Sequence, residues 1–93
     1  MGEMKRFRAK IFGIVQGVGF RWFVMREAEK RGIVGYVRNM YDGTVEVDAQ
    51  GEPEDIEEFI IALRKGPPMG AVSKMEMEWL APADDSSAFR VAF

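Results

Sequence analysis

Gly13-Ile14-Val15-Gln16-Gly17-Val18-Gly19-Phe20-Arg21 joins two different sequence patterns. Before it, apolar and polar residues alternate, which is the pattern of a half-buried strand. After it, apolar residues recur at the spacing of a helix. Glycine accepts backbone conformations that other residues avoid, so these glycines favour a tight turn. The sequence here predicts a strand, a glycine-rich loop and a helix.

This loop is also a candidate anion site. The first N–H groups of a helix have no intrahelical acceptor, and the helix start carries a partial positive charge of about half an elementary unit. Arg21 adds a guanidinium whose donors match phosphate or carboxylate oxygens. The residues expected to hold the anion are Gln16, Gly17, Val18, Gly19, Phe20 and Arg21.

Composition limits the classes of function. The 93 residues suit one domain spanning 1–93, and 47% hydrophobic residues are enough to form a core. A net charge of −2 argues against a general nucleic-acid or membrane-surface binder. The sequence contains no run of about 18 apolar residues, so it predicts no membrane span. Its first residues also lack the apolar run of a signal peptide. We expect a cytoplasmic monomer that binds neither nucleic acid nor membrane.

The chain has no cysteine and no histidine. This excludes disulfides, zinc fingers, thiol nucleophiles, histidine bases and cysteine-held iron–sulfur clusters. A carboxylate-only magnesium site stays open, but the acidic residues of the second half look like helix-surface residues. We therefore expect neither a metal nor a cofactor.

The first half predicts three elements. A strand covers Arg6–Val15, a helix covers Arg21–Arg31 and ends before Gly32, and a second strand covers Ile33–Asn39. The first strand should place alternate residues inward, namely Phe7, Ala9, Ile11, Gly13 and Val15. Its basic residues, Arg6, Arg8 and Lys10, should face solvent. We expect Trp22 to serve in packing, although its position next to Arg21 would also suit a place near a substrate.

The second half begins with a hairpin. Asp42-Gly43 predicts a type I′ turn, in which both central residues have positive φ. The third strand, Thr44–Gln50, should turn Val45, Val47 and Ala49 inward and Thr44, Glu46 and Asp48 outward.

A second helix, a fourth strand and a short last strand follow. The helix begins at Pro53 and ends at Gly66-Pro67-Pro68, with a stripe of Ile56, Phe59, Ile60 and Leu63. The strand Ser73–Leu80 should turn Met75, Met77 and Trp79 inward, and Phe89–Phe93 forms the last strand. This order predicts an α+β, ferredoxin-like split βαβ sandwich (βαββαβ), an antiparallel sheet with two helices on one face.

Several functions that occur with this topology require residues that this chain does not have. An RNA-recognition module needs aromatic and basic residues on its third strand, which here is acidic. No segment matches a Walker A loop, and Trp22 stands where a dinucleotide fingerprint needs its third glycine. A metal-free loop for a small anion remains.

Three motifs resemble the acylphosphatase family. They are Val15-Gln16-Gly17-Val18-Gly19-Phe20-Arg21, Gly35-Tyr36-Val37-Arg38-Asn39 and Asp42-Gly43-Thr44-Val45-Glu46, in the order and spacing of that family. The resemblance implies hydrolysis of the carboxyl–phosphate bond of acyl phosphates. It implies that Arg21 and Asn39 are catalytic and that the loop amides hold the phosphate oxygens. The expected partner is a small-molecule acyl phosphate.

The residue types suit this reaction. The leaving group is a carboxylate whose conjugate acid has a pKa of about 4.3, so it departs without a general acid. Phosphoryl transfer depends mainly on positioning and charge stabilisation, which Arg21, the loop amides and a water oriented by Asn39 would supply.

Two other classes stay open. The same loop would suit a module that binds an anion without turnover. Acylphosphatase-like domains also occur at the front of large carbamoyl-transferring maturation factors, although an ending at Phe93 favours a free-standing enzyme. Nothing in the sequence selects among acetyl phosphate, carbamoyl phosphate and a glycolytic acyl phosphate.

Overall fold

The elements follow the predicted order. The computed structural model describes residues 3–83 and 88–92. Its elements are β1 Lys5–Ile14, α1 Phe20–Lys30, β2 Val34–Asn39, β3 Val45–Gly51, α2 Pro53–Lys65, β4 Ala71–Leu80 and β5 Phe89–Ala92. Most predicted bounds differ from these by one or two residues. The predicted last residue of the final strand, Phe93, lies outside the described residues.

The sheet has the strand order β4-β1-β3-β2-β5. The first four strands pair antiparallel, as predicted, whereas β5 pairs parallel with β2. The sheet is therefore mixed, which corrects the expectation of a purely antiparallel one. The reason is the return of the chain from β4 to the opposite edge of the sheet. β4 and β5 lie at opposite edges and run in opposite directions, and β5 is therefore parallel to β2.

Both helices pack on one face of the sheet, as predicted. α1 buries Phe20, Val24 and Ala28, and α2 buries Ile56, Phe59 and Leu63. They cover the inward residues of the strands, which include Phe7, Ala9, Ile11, Val37, Val45, Val47 and Ala49. Each large apolar side chain buried in this way contributes about 1.5–3 kcal/mol before conformational entropy is subtracted.

β1 departs from a regular alternation near its end. The pairing of β1 with β4 shifts register between Phe12 and Gly13, as at a β-bulge. Gly13 is consequently exposed, while Val15, beyond the strand, is buried. The prediction that Gly13 shares the inward face is wrong, because the bulge interrupts the period of two.

The outward face of the sheet is less solvated than predicted. Thr44 and Asp48 are each only 4% exposed. Asp48 accepts hydrogen bonds from Arg6 (2.9 and 3.0 Å) and from Arg8 (3.1 and 3.0 Å). Arg8 lies directly across from Asp48 in the register of β1 and β3, so opposite charges meet between strands. The bond to Asp48 raises the pKa of Arg8.

The hairpin between β2 and β3 is confirmed, but its turn is not type I′. Gly43 has φ 89°, whereas Asp42 has no positive φ. The N–H of Met40 donates to the carbonyl oxygen of Thr44 (2.8 Å), and that of Gly43 donates to Met40 (3.2 Å). These bonds enclose a three-residue loop that ends in one left-handed glycine. One glycine is sufficient for this loop, so Asp42 keeps an ordinary conformation.

β4 forms one edge of the sheet. Met75 and Met77 are half-buried there, but Trp79 is 56% exposed. Its ring and that of Phe7 form a T-shaped pair with centroids 6.0 Å apart, and among the described residues no strand lies beyond β4 to cover it. The prediction that Trp79 faces inward is confirmed by its pairing with Phe7, although its place on an edge strand leaves much of the ring exposed. In the part of the chain that the structure describes, no helix is long and apolar enough to cross a bilayer.

Candidate active site

The loop between β1 and α1 makes two left-handed turns. Gly17 has φ 75° and Gly19 has φ 76°. A Cβ on either residue would meet no atom within 4 Å. Glycine is therefore favoured at both positions by backbone conformation and not by crowding, because other residues pay a steric cost there.

The loop presents a series of uncommitted backbone donors. Gly19 is the N-cap of α1, and the first helical bond runs from the N–H of Phe23 to its carbonyl oxygen (3.0 Å). Among residues 3–83 and 88–92, no acceptor is recorded for the N–H groups of residues 17–20. The first turn of α1 also contains no acidic residue. Such a helix start has the donors and the partial charge that an anion needs.

Arg21 and Phe20 begin the helix. Arg21 is the second residue of α1 and is half-buried. Phe20 is 1% exposed, and its ring lies 5.8 Å from that of Phe23. The side chain of Phe20 therefore anchors the helix start in the core, while its backbone N–H remains on the loop. This placement suits the predicted contribution of Phe20 through its amide.

Gln16 connects the loop to the β2–β3 hairpin. Its Nε2 donates to the carbonyl oxygen of Met40 (2.9 Å) and to that of Thr44 (2.8 Å). Met40 directly follows Asn39, so the bonds hold the loop beside the end of β2. The sequence analysis assigned Gln16 only a backbone role and missed this contact. No local pattern could indicate it, because its partners are 24 and 28 residues away.

Asn39 is the last residue of β2 and pairs with Val45 of β3. Its Oδ1 is buried, and within the described residues no donor is recorded for it. An amide oxygen in this condition is costly unless a donor reaches it, so it suits an incoming water or substrate group. A cavity of about 450 Å³ is lined by Arg38, Asn39, Met40 and Tyr41. Arg21 is not among the residues that line it.

The residues before Asn39 are held by a polar cluster. Tyr36 donates from its hydroxyl to Glu46 (2.6 Å), and Arg38 donates from Nε to the same carboxylate (3.1 Å). Burial, followed by the hydrogen bond to Glu46, raises the pKa of Tyr36. The end of β2 is thus fixed on both sides, by this cluster and by Gln16.

The structure therefore joins the predicted anion loop to the segment that carries Asn39, through one side chain. Trp22 is 63% exposed, so the expectation that it packs inside is wrong. As for a metal, no group of three or more His, Cys, Asp or Glu residues in the described ranges is placed to hold one.

Known proteins are similar to this chain in sequence and in fold. The family model for acylphosphatase matches residues 7–91. An acylphosphatase of Thermococcus kodakarensis is 51% identical over 81 residues, which cover 85% of this chain and 89% of that relative. The crystal structure of acylphosphatase from Bacillus subtilis has a TM-score of 0.92 at 33% identity, covering 98% of this chain and 100% of the other.

A larger protein contains a similar unit. Full-length HypF, in its phosphate- and nucleotide-bound form, has a TM-score of 0.86 at 27% identity; the match covers 100% of this chain and 12% of HypF. The family model and the relatives of similar length agree with the three sequence motifs. The chain belongs to the acylphosphatase family.

Proposed function

We propose that this chain hydrolyses acyl phosphates to a carboxylate and inorganic phosphate without a metal ion. The observation that carries the proposal is the loop of uncommitted N–H groups beside Arg21, tied by Gln16 to the strand end that bears Asn39. Family membership supports the same reaction.

Phosphate binding is the first step. The N–H groups of residues 17–20 and the positive end of α1 receive the phosphoryl oxygens, and Arg21 adds two parallel donors from its guanidinium. The backbone donors belong to the folded loop, so they stabilise the charge of the transition state with little reorganisation.

Asn39 orients the attacking water. Its buried Oδ1 accepts a hydrogen bond from the water, and its amide group donates to a phosphoryl oxygen. Holding the nucleophile near the phosphorus atom removes much of the entropic barrier of the reaction.

The bonds and charges balance without an acid or base from the protein. The water oxygen bonds to phosphorus, the bond between phosphorus and the acyl oxygen breaks, and its electron pair leaves with the carboxylate. The water protons end on the phosphate product. The leaving carboxylate is weakly basic, which is why a chain without histidine suffices.

The test measures phosphate release from acetyl phosphate in EDTA, using the unmodified protein, Asn39→Ala and Asn39→Asp. We expect hydrolysis by the unmodified protein and a fall in kcat on the order of 10²-fold in Asn39→Ala, as for loss of one oxyanion donor. Asn39→Asp keeps the size of the side chain but should be at least as slow, because its charge repels the phosphate. Gln50→Ala, on the far part of β3, is the matched control.

Three results would contradict the proposal. Loss of activity in EDTA that added Mg²⁺ restores would remove metal independence. Near-normal turnover by folded Asn39→Ala would remove Asn39 from the mechanism. Phosphate binding without any hydrolysis would instead favour a module that binds an anion.

A further inference from the structure

A second groove opens beside the phosphate loop. It has a volume of about 400 Å³ and is formed by the loop, the first turns of α1 and the segment after α2. Its lining includes Val18, Gly19, Trp22, Pro67 and Met69. Sites for small molecules are concave and mostly apolar, with volumes of about 300–1,000 Å³. The groove falls within that range.

Two large apolar side chains of the groove face solvent. Trp22 is 63% exposed and Met69 is 76% exposed. Arg26 also lines the groove, and the methylene stem of an arginine adds apolar surface below its charged end. When a ligand covers apolar side chains along a groove, the removal of their surface from water favours binding. An exposed surface of this kind therefore marks a binding site.

The groove is continuous with the proposed phosphate site. Val18 and Gly19 line the groove and also belong to the loop whose N–H groups would hold the phosphate. A substrate bound by its phosphoryl group on this loop has its acyl group only one bridging oxygen away. The neighbouring apolar surface is therefore within reach of that acyl group.

We propose that this groove binds the acyl half of the substrate, with Trp22 and Met69 as its specificity-determining residues. The preferred substrates then carry an aromatic or bulky apolar acyl group. This inference rests on the proposed function, and it adds the substrate class that the sequence left open. Because Trp22 and Met69 contact the acyl group and not the phosphoryl group, these two residues select the substrate without entering the chemistry.

Comparison of a small acyl group with a large one provides the test. Acetyl phosphate presents one methyl group to the groove, whereas benzoyl phosphate presents a ring that can pack on Trp22. Each kcat/KM is divided by the uncatalysed hydrolysis rate of the same compound, which removes the difference in intrinsic reactivity. We expect the corrected value to favour benzoyl phosphate by about tenfold or more, since even one methylene in an apolar pocket changes kcat/KM by about that factor.

The variants Trp22→Ala and Met69→Ala should remove this preference. Each should lower kcat/KM for benzoyl phosphate about tenfold and change that for acetyl phosphate by about twofold or less. Ile61→Ala is the matched control, because Ile61 is a 67% exposed apolar residue on α2 that does not line the groove. It should change neither value. Both groove residues are exposed, so neither replacement should disturb the core. Use of two variants keeps the test valid if one of them does not fold.

The outcomes separate the two proposals. If the unmodified protein hydrolyses acetyl phosphate but both groove variants slow the two substrates equally, the groove does not bind the acyl group and the proposed function stands. The proposed role of the groove is also wrong if kcat/KM, divided by the uncatalysed rate, is no higher for benzoyl phosphate than for acetyl phosphate. If the unmodified protein hydrolyses neither compound, both proposals fail.

Discussion

Gln16 donates from its side-chain amide to the carbonyl oxygen of Met40 over 2.9 Å, and so joins the glycine loop to the residue after Asn39. A second bond, to Thr44, shares the same nitrogen. These two bonds hold the loop proposed to bind phosphate next to the strand end proposed to orient water. One amide group thus adds a direct tie between the loop and the hairpin to the strand pairing that already holds them.

Replacement of Gln16 by leucine should therefore impair catalysis as well as stability. Leucine has a similar size but no donor, so the carbonyl oxygens of Met40 and Thr44 each lose one of two donors and keep the backbone N–H that also reaches them. Each lost bond should cost about 0.5–1.5 kcal/mol. We expect a lower Tm, a higher KM and a lower kcat for acetyl phosphate, measured well below the Tm of the variant.

Gln50→Leu separates these effects. Gln50 makes a comparable pair of bonds to Ala83, with Nε2 donating to the carbonyl oxygen (2.7 Å) and Oε1 accepting from the N–H (2.6 Å). Its loss should lower the Tm and leave kcat and KM of the folded protein unchanged. Equal kinetics in the two variants would show that the Gln16 contact is only structural.

Arg21→Lys should test the geometry of the guanidinium. Lysine keeps the positive charge but cannot give two parallel hydrogen bonds to a phosphoryl group. We expect a higher Kd for inorganic phosphate, and a kcat/KM for acetyl phosphate that is reduced on the order of 10²-fold. Arg64→Lys, in the last turn of α2, is the control. Retention of full activity by Arg21→Lys would leave only a general electrostatic role for this position.

Asp42 should contribute to stability in a pH-dependent way. The hydrogen bond from Lys10 (2.8 Å), followed by those from Thr44, holds the pKa of Asp42 well below its ordinary value of 3.8. A depressed pKa in the folded state gives stability that is present above about pH 4 and is lost as the pH falls further. The urea midpoints of the unmodified protein and Asp42→Asn should therefore differ at pH 6 and converge towards pH 2.

Glu57→Gln is the control for that series. Glu57 is an exposed carboxyl on α2, so its replacement should shift the urea midpoint little at any pH in this range. A constant difference between the unmodified protein and Asp42→Asn from pH 6 to pH 2 would contradict the assignment.

Gly35→Ala should be strongly destabilising. Gly35 has φ 139°, and a Cβ there would lie 1.8 Å from the carbonyl oxygen of Asp48 in β3. Neither backbone can move without breaking the ladder, so we expect a loss of about 3 kcal/mol in the free energy of unfolding. Gly43→Ala has a similarly strained φ of 89° but no atom within 4 Å of the new Cβ. Urea unfolding should show a loss of only about 1–2 kcal/mol there; an equal loss in both would contradict the contact.

The identities of the helices and strands could be predicted because their signals are local. The stripe of Ile56, Phe59 and Leu63 depends on residues three and four positions apart, and all three are buried. Pro53 begins α2 as expected. The motifs ending in Arg21 and Asn39 were sufficient to identify the family, which the comparisons confirmed.

Other features required contacts between distant parts of the chain. Asp48 is buried because strand register brings Arg6 and Arg8 to it from 42 and 40 residues away. The parallel pairing of β5 follows from the path across the sheet, and the exposure of Trp79 from its place at an edge. None of these follows from a period of two or a turn residue.

The candidate site divides in the same way. Gly17, Gly19 and Arg21 are recognisable in sequence, because a left-handed turn and a helix start depend on the residues that form them. The burial of the Asn39 amide oxygen and the Gln16 bonds to the hairpin depend on how β1, β2 and β3 pack together. Turns and helix starts depend on neighbouring residues and can therefore be predicted from sequence. Distances between side chains, their burial and the strand register depend on residues far apart in the chain, which only the folded sheet brings together.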